Sequence, residues 1–346
     1  MAIRIGIMGF GRIGRNVFKI LYPQDDIEIV AIVDIADPKG LEYLLKFDTV
    51  HGRFREPLRV VDGNMYVKGR QIRMLQRKAP GDVDWGALGV DIVIEATGKY
   101  RYREQLQKHL DCGAKHVILT VPPRDEIDAL VVMGVNDEVL TPETRIVSNA
   151  SCTANALAPI IHILDDAFGI KKGFMTTVHA YTNDQRLADV PHSELRRSRA
   201  AAENIIPTTT WSPQMVERIL PEMKGRLDGM AMNVPVPDGS VVDLVTVMER
   251  DVTREEVNEV VRSAAATHLK NIVEFTEAPI VSSDVVGNPH SAIFDGLATV
   301  VLKGSMLKTL TWYDNGWGYA TRVVELVERL AAFTTAAGVK AGGESQ

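Results

Sequence analysis

The chain has 346 residues with 39 Lys and Arg against 45 Asp and Glu, a formal charge of −6, and its length suits about two domains of ordinary size. Hydrophobic residues at 45 % and charged residues at 24 % exclude a disordered, collagen-like or membrane-embedded chain. A pI near 5.8 without a Lys/Arg block gives no footprint for nucleic acid or an anionic membrane, so neither partner is expected.

Arg4, Arg12 and Arg15 break up the apolar N-terminus, so no secretory leader is expected there. No run approaches the roughly 18 apolar residues of a membrane span. Two cysteines, Cys112 and Cys152, leave no disulfide framework and point to a reducing compartment, the cytoplasm.

In the first third, short apolar runs at residues 3–8, 27–34, 90–97, 116–122, 129–135 and 145–148 alternate with helix-compatible stretches. Several runs are apolar at consecutive positions, as parallel strands covered on both faces require. The pattern predicts a doubly wound, Rossmann-type parallel sheet. Leu157, Ile160, Ile161, Leu164 and Phe168 then fall at helical spacing, and Gly169 closes that helix.

Strand-like stretches at 173–180, 230–236, 241–248 and 297–302, with a helix at 254–269, are grouped rather than alternating. This favours a second, α+β domain on a largely antiparallel sheet. A long irregular segment, 181–210, interrupts it, and loops of that length are usually functional or interfacial. The expected division is a dinucleotide-binding domain over 1–150 and a catalytic domain over 151–318. A helix over 319–333 is expected to pack back onto the first domain, and 334–346 reads as a flexible tail.

After the first strand comes Gly9-Phe10-Gly11-Arg12-Ile13-Gly14, then a helical stretch. Glycines allow a tight turn and close approach to a pyrophosphate, which the start of the helix attracts. The second strand ends at Asp34, where a carboxylate accepts from both ribose hydroxyls and repels a 2′-phosphate, so NAD is preferred over NADP. Cys152 follows Ser148-Asn149-Ala150-Ser151 just before a helix. A thiol there has a depressed pKa, and neighbouring N–H groups could hold an oxyanion. The bland alternative is a small buried hydrophobe, which Cys112 keeps. His179 ends a strand and opens the long loop, with His162 and His192 competing as the base.

Gly9 to Arg15, Ser148 to Asn155, Thr177-Val178-His179, Tyr181 to Gln185, Arg199 to Pro207 and Trp312 to Tyr319 resemble the phosphorylating glyceraldehyde-3-phosphate dehydrogenase family. The resemblance covers residues 2 to 333. It implies an NAD-dependent glycolytic enzyme, a homotetramer without metal, that oxidises an aldehyde through a cysteine thioester and passes the acyl group to inorganic phosphate. Cys152 falls on the nucleophile and His179 on the base. Gly9, Gly11, Arg12, Ile13 and Gly14 fall on the pyrophosphate loop, Asp34 and Thr120 on adenosine positions, Asn315 and Tyr319 on nicotinamide positions. Lys78 falls near the cofactor where relatives use Arg, and a solvated lysine is the competing reading. Ser151, Thr153, Thr182, Arg197 and Thr210 fall on substrate and phosphate positions.

Two departures concern anions. Asn233 stands where relatives have Arg, and losing a charge-assisted bond of about 1.5–3 kcal/mol weakens binding roughly 10- to 150-fold. Trp211 replaces a Gly beside Thr210 and either points outward or fills the pocket, with Ser212-Pro213 expected to cap and open a helix. Met8, Ala156 and Gly316 are smaller departures. These features leave three candidate functions: the family reaction, oxidation of a different aldehyde, and a cofactor-binding scaffold without catalysis.

Overall fold

A computed structural model describes residues 2–343, with side chains described through residue 334. It contains two compact units. The first comprises residues up to Val131, Asp137–Ala150 and those from Ala320 onward, and the second Val132–Asn136 and Ser151–Tyr319.

The first unit runs β1 (Ile3–Met8), α1 (Arg12–Leu21), β2 (Ile27–Asp34), α2 (Pro38–Lys46), β3 (Phe47–Asp48), β4 (Gly52–Arg53), β5 (Leu58–Val61), β6 (Asn64–Val67) and β7 (Arg70–Gln76). It continues through α3 (Trp85–Leu88), β8 (Ile92–Glu95), α4 (Arg103–Asp111), β9 (His116–Leu119), β10 (Ala129–Leu130) and β11 (Ile146–Ser148). Nine strands form one sheet in the order β10-β11-β9-β8-β1-β2-β7-β6-β5. Seven are parallel, from β10 to β7, and β6 and β5 add an antiparallel edge.

Every residue of β8 and β9 is buried, so helices must cover both faces. Met8, Val33 and Val93 pack with Trp85, while Leu106 and Leu110 of α4 pack with Val117 and Leu119. Full burial of each such aliphatic side chain contributes about 1.5–3 kcal/mol. The order reverses between β1 and β8, and the loop after β1 lies at this switch point, where open α/β sheets bind ligands.

Two predicted features change here. The run 129–135 yields only Ala129–Leu130 as strand, because the Val132 N–H donates to Asn136 Oδ1 at 2.9 Å instead of joining the ladder. The edge β5 to β7, absent from the sequence reading, turns at Asp62-Gly63 and Lys68-Gly69, all four residues having positive φ. That is the geometry of a type I′ hairpin.

The second unit runs α5 (Cys152–Phe168), β12 (Ile170–Ala180), β13 (Ile206–Thr208), α6 (Ser212–Ile219), β14 (Leu227–Val234), β15 (Ser240–Met248) and α7 (Arg254–Ala266). Then come β16 (Val273–Thr276), β17 (Ala292–Asp295), β18 (Val300–Leu302) and β19 (Met306–Tyr313). Its eight-stranded sheet has the order β13-β14-β12-β15-β19-β17-β16, with β18 paired to β19. It is largely antiparallel, with parallel pairs only at β12/β14 and β16/β17 among the described residues. α5 is buried along most of its length, which explains why its apolar periodicity is broad.

The final helix, α8 (Trp317–Gly343), starts earlier and runs further than the predicted 319–333. Residues 334–343, read from the sequence as tail, are helical, and 344–346 lie outside the described residues. Val323, Leu326, Val327 and Leu330 form its buried stripe in the first unit. No helix among the described residues is long and apolar enough to cross a membrane.

Candidate active site

The turn after β1 is built for close backbone approach. Gly9 has φ of 94°, and a Cβ there would lie 2.6 Å from the Thr97 nitrogen; one on Gly14 would lie 2.1 Å from the Gly9 carbonyl oxygen. Neither position tolerates a side chain. Gly11 instead faces open space and precedes α1 without a side-chain cap, leaving the dipole end of the helix uncovered. Arg12 and Ile13 are the first, half-buried residues of α1.

Asp34 Oδ2 accepts the Phe10 N–H at 2.7 Å and Oδ1 the Ala36 N–H at 3.0 Å. Those bonds fix the carboxylate and still leave lone pairs for hydroxyl donors. Thr120 is buried and its hydroxyl donates to the Glu95 carbonyl at 3.1 Å. Lys78 is exposed, and its backbone N–H donates to Asp82 at 3.3 Å. A bare helix start, a glycine turn and a fixed acceptor carboxylate are what a dinucleotide requires.

In the second unit Ser151 caps α5, its hydroxyl accepting the Ala154 N–H at 3.1 Å. Cys152 is thus the first helical residue. Its Sγ lies 3.5 Å from His179 Nε2 near the end of β12. His179 Nδ1 is 2.6 Å from the Ala180 carbonyl, which can only accept, so Nδ1 carries the proton and Nε2 presents its lone pair to the sulfur. Of the competing histidines, His192 accepts the Glu194 N–H, and His162 lies far along α5 from Cys152.

The expected depression of the Cys152 pKa is not met by the helix terminus alone. Burial pushes the thiol up to about 11, outweighing the downward pull of the Thr153 N–H and hydroxyl, and Asp238 adds to the rise. A desolvated thiolate is stable here only beside a positive partner, and His179 is placed to become one by taking the proton. Cys112, at the end of α4, is also raised, first by burial and then by Asp84, Asp111 and Asp82, and its sulfur lies 3.7 Å from the Gly81 carbonyl, an acceptor that offers it no base.

Several participating residues escaped the sequence reading. The Tyr313 hydroxyl lies 2.8 Å from both Thr153 Oγ1 and Thr177 Oγ1, and burial raises its pKa far enough to keep it a phenol. Ser240 Oγ accepts the Ala180 N–H at 3.0 Å and donates to Asn315 Oδ1 at 2.8 Å. The first turn of α5, the end of β12 and Asn315 are therefore held by one buried hydroxyl network. Tyr319 is also buried in this unit.

The anion candidates are internally engaged. Arg197 pairs with Asp184, lies 3.3 Å from Glu194 and donates to Thr208 Oγ1 at 2.8 Å. The Thr182 hydroxyl donates to Asp184. Thr210 Oγ1 accepts the Ser212 N–H at 3.2 Å. Ser212, expected as the cap of α6, is its first residue, because Trp211 occupies the cap position. Trp211 is 66 % exposed and so points outward. Asn233 is buried and donates from Nδ2 to Gln185 Oε1 at 2.8 Å.

A dinucleotide turn in one unit and a close cysteine–histidine pair in the other are the features expected of an NAD-linked oxidoreductase. Residues 3–103 match the family description "Glyceraldehyde 3-phosphate dehydrogenase, NAD binding domain" and residues 151–315 match its "C-terminal domain". Proteins named glyceraldehyde-3-phosphate dehydrogenase are 50 % identical in Geobacillus stearothermophilus, over 96 % of this chain and 99 % of the relative, and 51 % identical in Borreliella burgdorferi, over 95 % and 99 %. One from Streptomyces coelicolor is 51 % identical over 94 % and 98 %. The chain belongs to the glyceraldehyde 3-phosphate dehydrogenase family, and its cofactor is NAD.

Proposed function

We propose that the chain oxidises glyceraldehyde 3-phosphate with NAD and transfers the acyl group to inorganic phosphate. The observation that carries this is the 3.5 Å approach of Cys152 Sγ to a His179 Nε2 whose other nitrogen is tied to the Ala180 carbonyl. His179 takes the thiol proton, and the sulfur adds to the aldehyde carbon. The N–H groups of the first turn of α5 are placed to stabilise the oxyanion. That oxygen takes up a proton to give a hemithioacetal, and His179 returns to its neutral form. His179 then accepts the hydroxyl proton as the carbon loses hydride, leaving a thioester on Cys152. Bound NAD supplies the hydride acceptor. Phosphate oxygen attacks the thioester carbonyl, the acyl phosphate leaves, and the sulfur departs as thiolate.

In this reading Gly9, Gly11, Arg12, Ile13 and Gly14 bind the cofactor pyrophosphate and Asp34 its adenosine ribose, with Thr120 and Lys78 nearby. Asn315 and Tyr319 serve the nicotinamide. Ser151, Thr153, Thr182, Arg197, Thr210 and Asn233 face substrate or phosphate. The decisive test is Cys152→Ser: cofactor reduction with glyceraldehyde 3-phosphate and phosphate should fall at least 1000-fold, and undiminished reduction would overturn the assignment.

Oxidation of a different aldehyde is the second reading, favoured by Asn233 holding Gln185 and by Arg197 lying between two carboxylates. Leu187 and Leu195 in the long loop are 88 % and 84 % exposed. The homotetramer that the family resemblance implies would leave such side chains covered, and sedimentation checks it. Both cysteines are free, which supports a reducing, cytoplasmic setting.

A further inference from the structure

We infer that Glu95, a fully buried carboxylate with no part in the proposed chemistry, positions the cofactor turn through Thr97, with His109 and Trp85 holding it in place. This rests on the proposed seating of NAD at the turn after β1. Glu95 ends β8, at the switch point, and its backbone and its side chain each anchor a residue there. Its carbonyl accepts the Thr120 N–H and the Thr120 hydroxyl, both at 3.1 Å. Its Oε1 accepts the Thr97 N–H at 2.9 Å and also the Thr97 hydroxyl, which in turn accepts the Lys99 N–H at 3.1 Å. The Thr97 nitrogen is the atom against which Gly9 packs, 2.6 Å from where a Cβ would stand. With backbone on backbone at that spacing, displacing Thr97 displaces the glycine turn.

The other carboxylate oxygen is held by a chain of donors running in one direction. Trp85 Nε1–H donates to His109 Nδ1 at 3.0 Å, and an indole can only donate, so Nδ1 carries the lone pair. His109 is then neutral with its proton on Nε2, which donates to Glu95 Oε2 at 3.2 Å. All three side chains are completely buried. Trp85 is itself fixed, because Gly6 faces its ring so closely that a Cβ there would lie 2.5 Å away. A buried carboxylate is costly unless donors surround it, and apolar side chains would fill the same space without that cost. What the carboxylate adds is two acceptor atoms in fixed directions, one for Thr97 and one for His109.

The direction of this chain supplies a test that mere space-filling would fail. In Glu95→Gln the carboxamide accepts at one end only, so either the Thr97 N–H or the His109 Nε2–H faces another donor. Trp85→Phe frees His109 Nδ1 to take the proton, and Nε2 then accepts from the carboxamide. In calorimetry on the full chain, Glu95→Gln should weaken NAD binding at least 10-fold, and adding Trp85→Phe should recover at least 3-fold of that loss. Cys152 alkylation should stay within 2-fold of the natural protein in both variants, since the second unit is untouched. Two losses of packing would instead add, so a smaller effect of Glu95→Gln, or no such recovery, overturns the inference. Should Glu95→Gln fail to fold, His109→Leu, which removes the donor to Oε2, should weaken NAD binding at least 5-fold, and a smaller loss overturns it equally. Unchanged NAD affinity in Gly14→Ala would instead remove the seating of the cofactor on which the inference rests.

Discussion

Replacing His179 with Asn probes the central physical claim, that the imidazole rather than the helix terminus makes the Cys152 thiolate. Burial holds the thiol at about 11, so at pH 7.5 an unassisted Cys152 is ionised in about three molecules in ten thousand, at a cost of about 5 kcal/mol. Proton transfer to Nε2 at 3.5 Å replaces the isolated buried charge by a thiolate–imidazolium pair, and Coulomb attraction at that distance offsets a cost of this size. His179→Asn removes the base and keeps a polar side chain. The higher thiol pKa raises intrinsic nucleophilicity, with a Brønsted slope of about 0.4–0.5, so the reactivity loss is smaller than the loss of thiolate. Alkylation by iodoacetamide, followed by peptide mass, should slow at Cys152 by about 10- to 100-fold at pH 7.5. Its rate should then climb with pH beyond pH 9. Cys112, a built-in control, should be unchanged. An unshifted pH profile at Cys152 in the variant would refute the argument.

Three further outcomes follow from the geometry. Gly14→Ala places a methyl 2.1 Å from the Gly9 carbonyl oxygen; calorimetry should show NAD affinity reduced more than 100-fold, with Cys152 alkylation retained. Tyr313→Phe removes a hydroxyl shared by two threonines and should destabilise the chain by about 2–4 kcal/mol in urea unfolding; a change below about 1 kcal/mol would show that the threonines find other partners. Burial raises Glu325 from 4.5 to about 7 against the pull of Arg322. The folded chain therefore binds the extra proton between those values, and stability falls as pH rises from about 4.5 through 7. Glu325→Gln should flatten that decline in thermal melts at pH 5 and 8, by about 2 kcal/mol after allowance for partial exposure, and parallel curves would count against it.

Local spacing made much of the site readable. The glycine turn, the acid ending β2 and a cysteine beside a capping serine are short-range signals, because phosphate-binding turns and helix starts are built within a few residues. The hairpin edge β5 to β7 was also marked, by Asp62-Gly63 between alternating residues, a cue the sequence reading passed over. Residues 129–135 misled because apolar composition does not reveal that an Asn side chain will intercept a ladder donor.

Long-range closure decided the rest. Spacing alone did not separate His179 from the other seven of the eight histidines; only the resemblance marked it, and β12 is what carries it to the first turn of α5. Tyr313 meets Thr153 across 160 positions and Asn233 meets Gln185 across 48. Such pairings depend on sheet register, where a slip of one residue sends every side chain to the opposite face, and no periodicity in the chain encodes it. The ionisation of Cys152 belongs with them. Its helix position is written in the neighbouring residues, while the desolvation that overrides it arises only when distant strands pack around the sulfur.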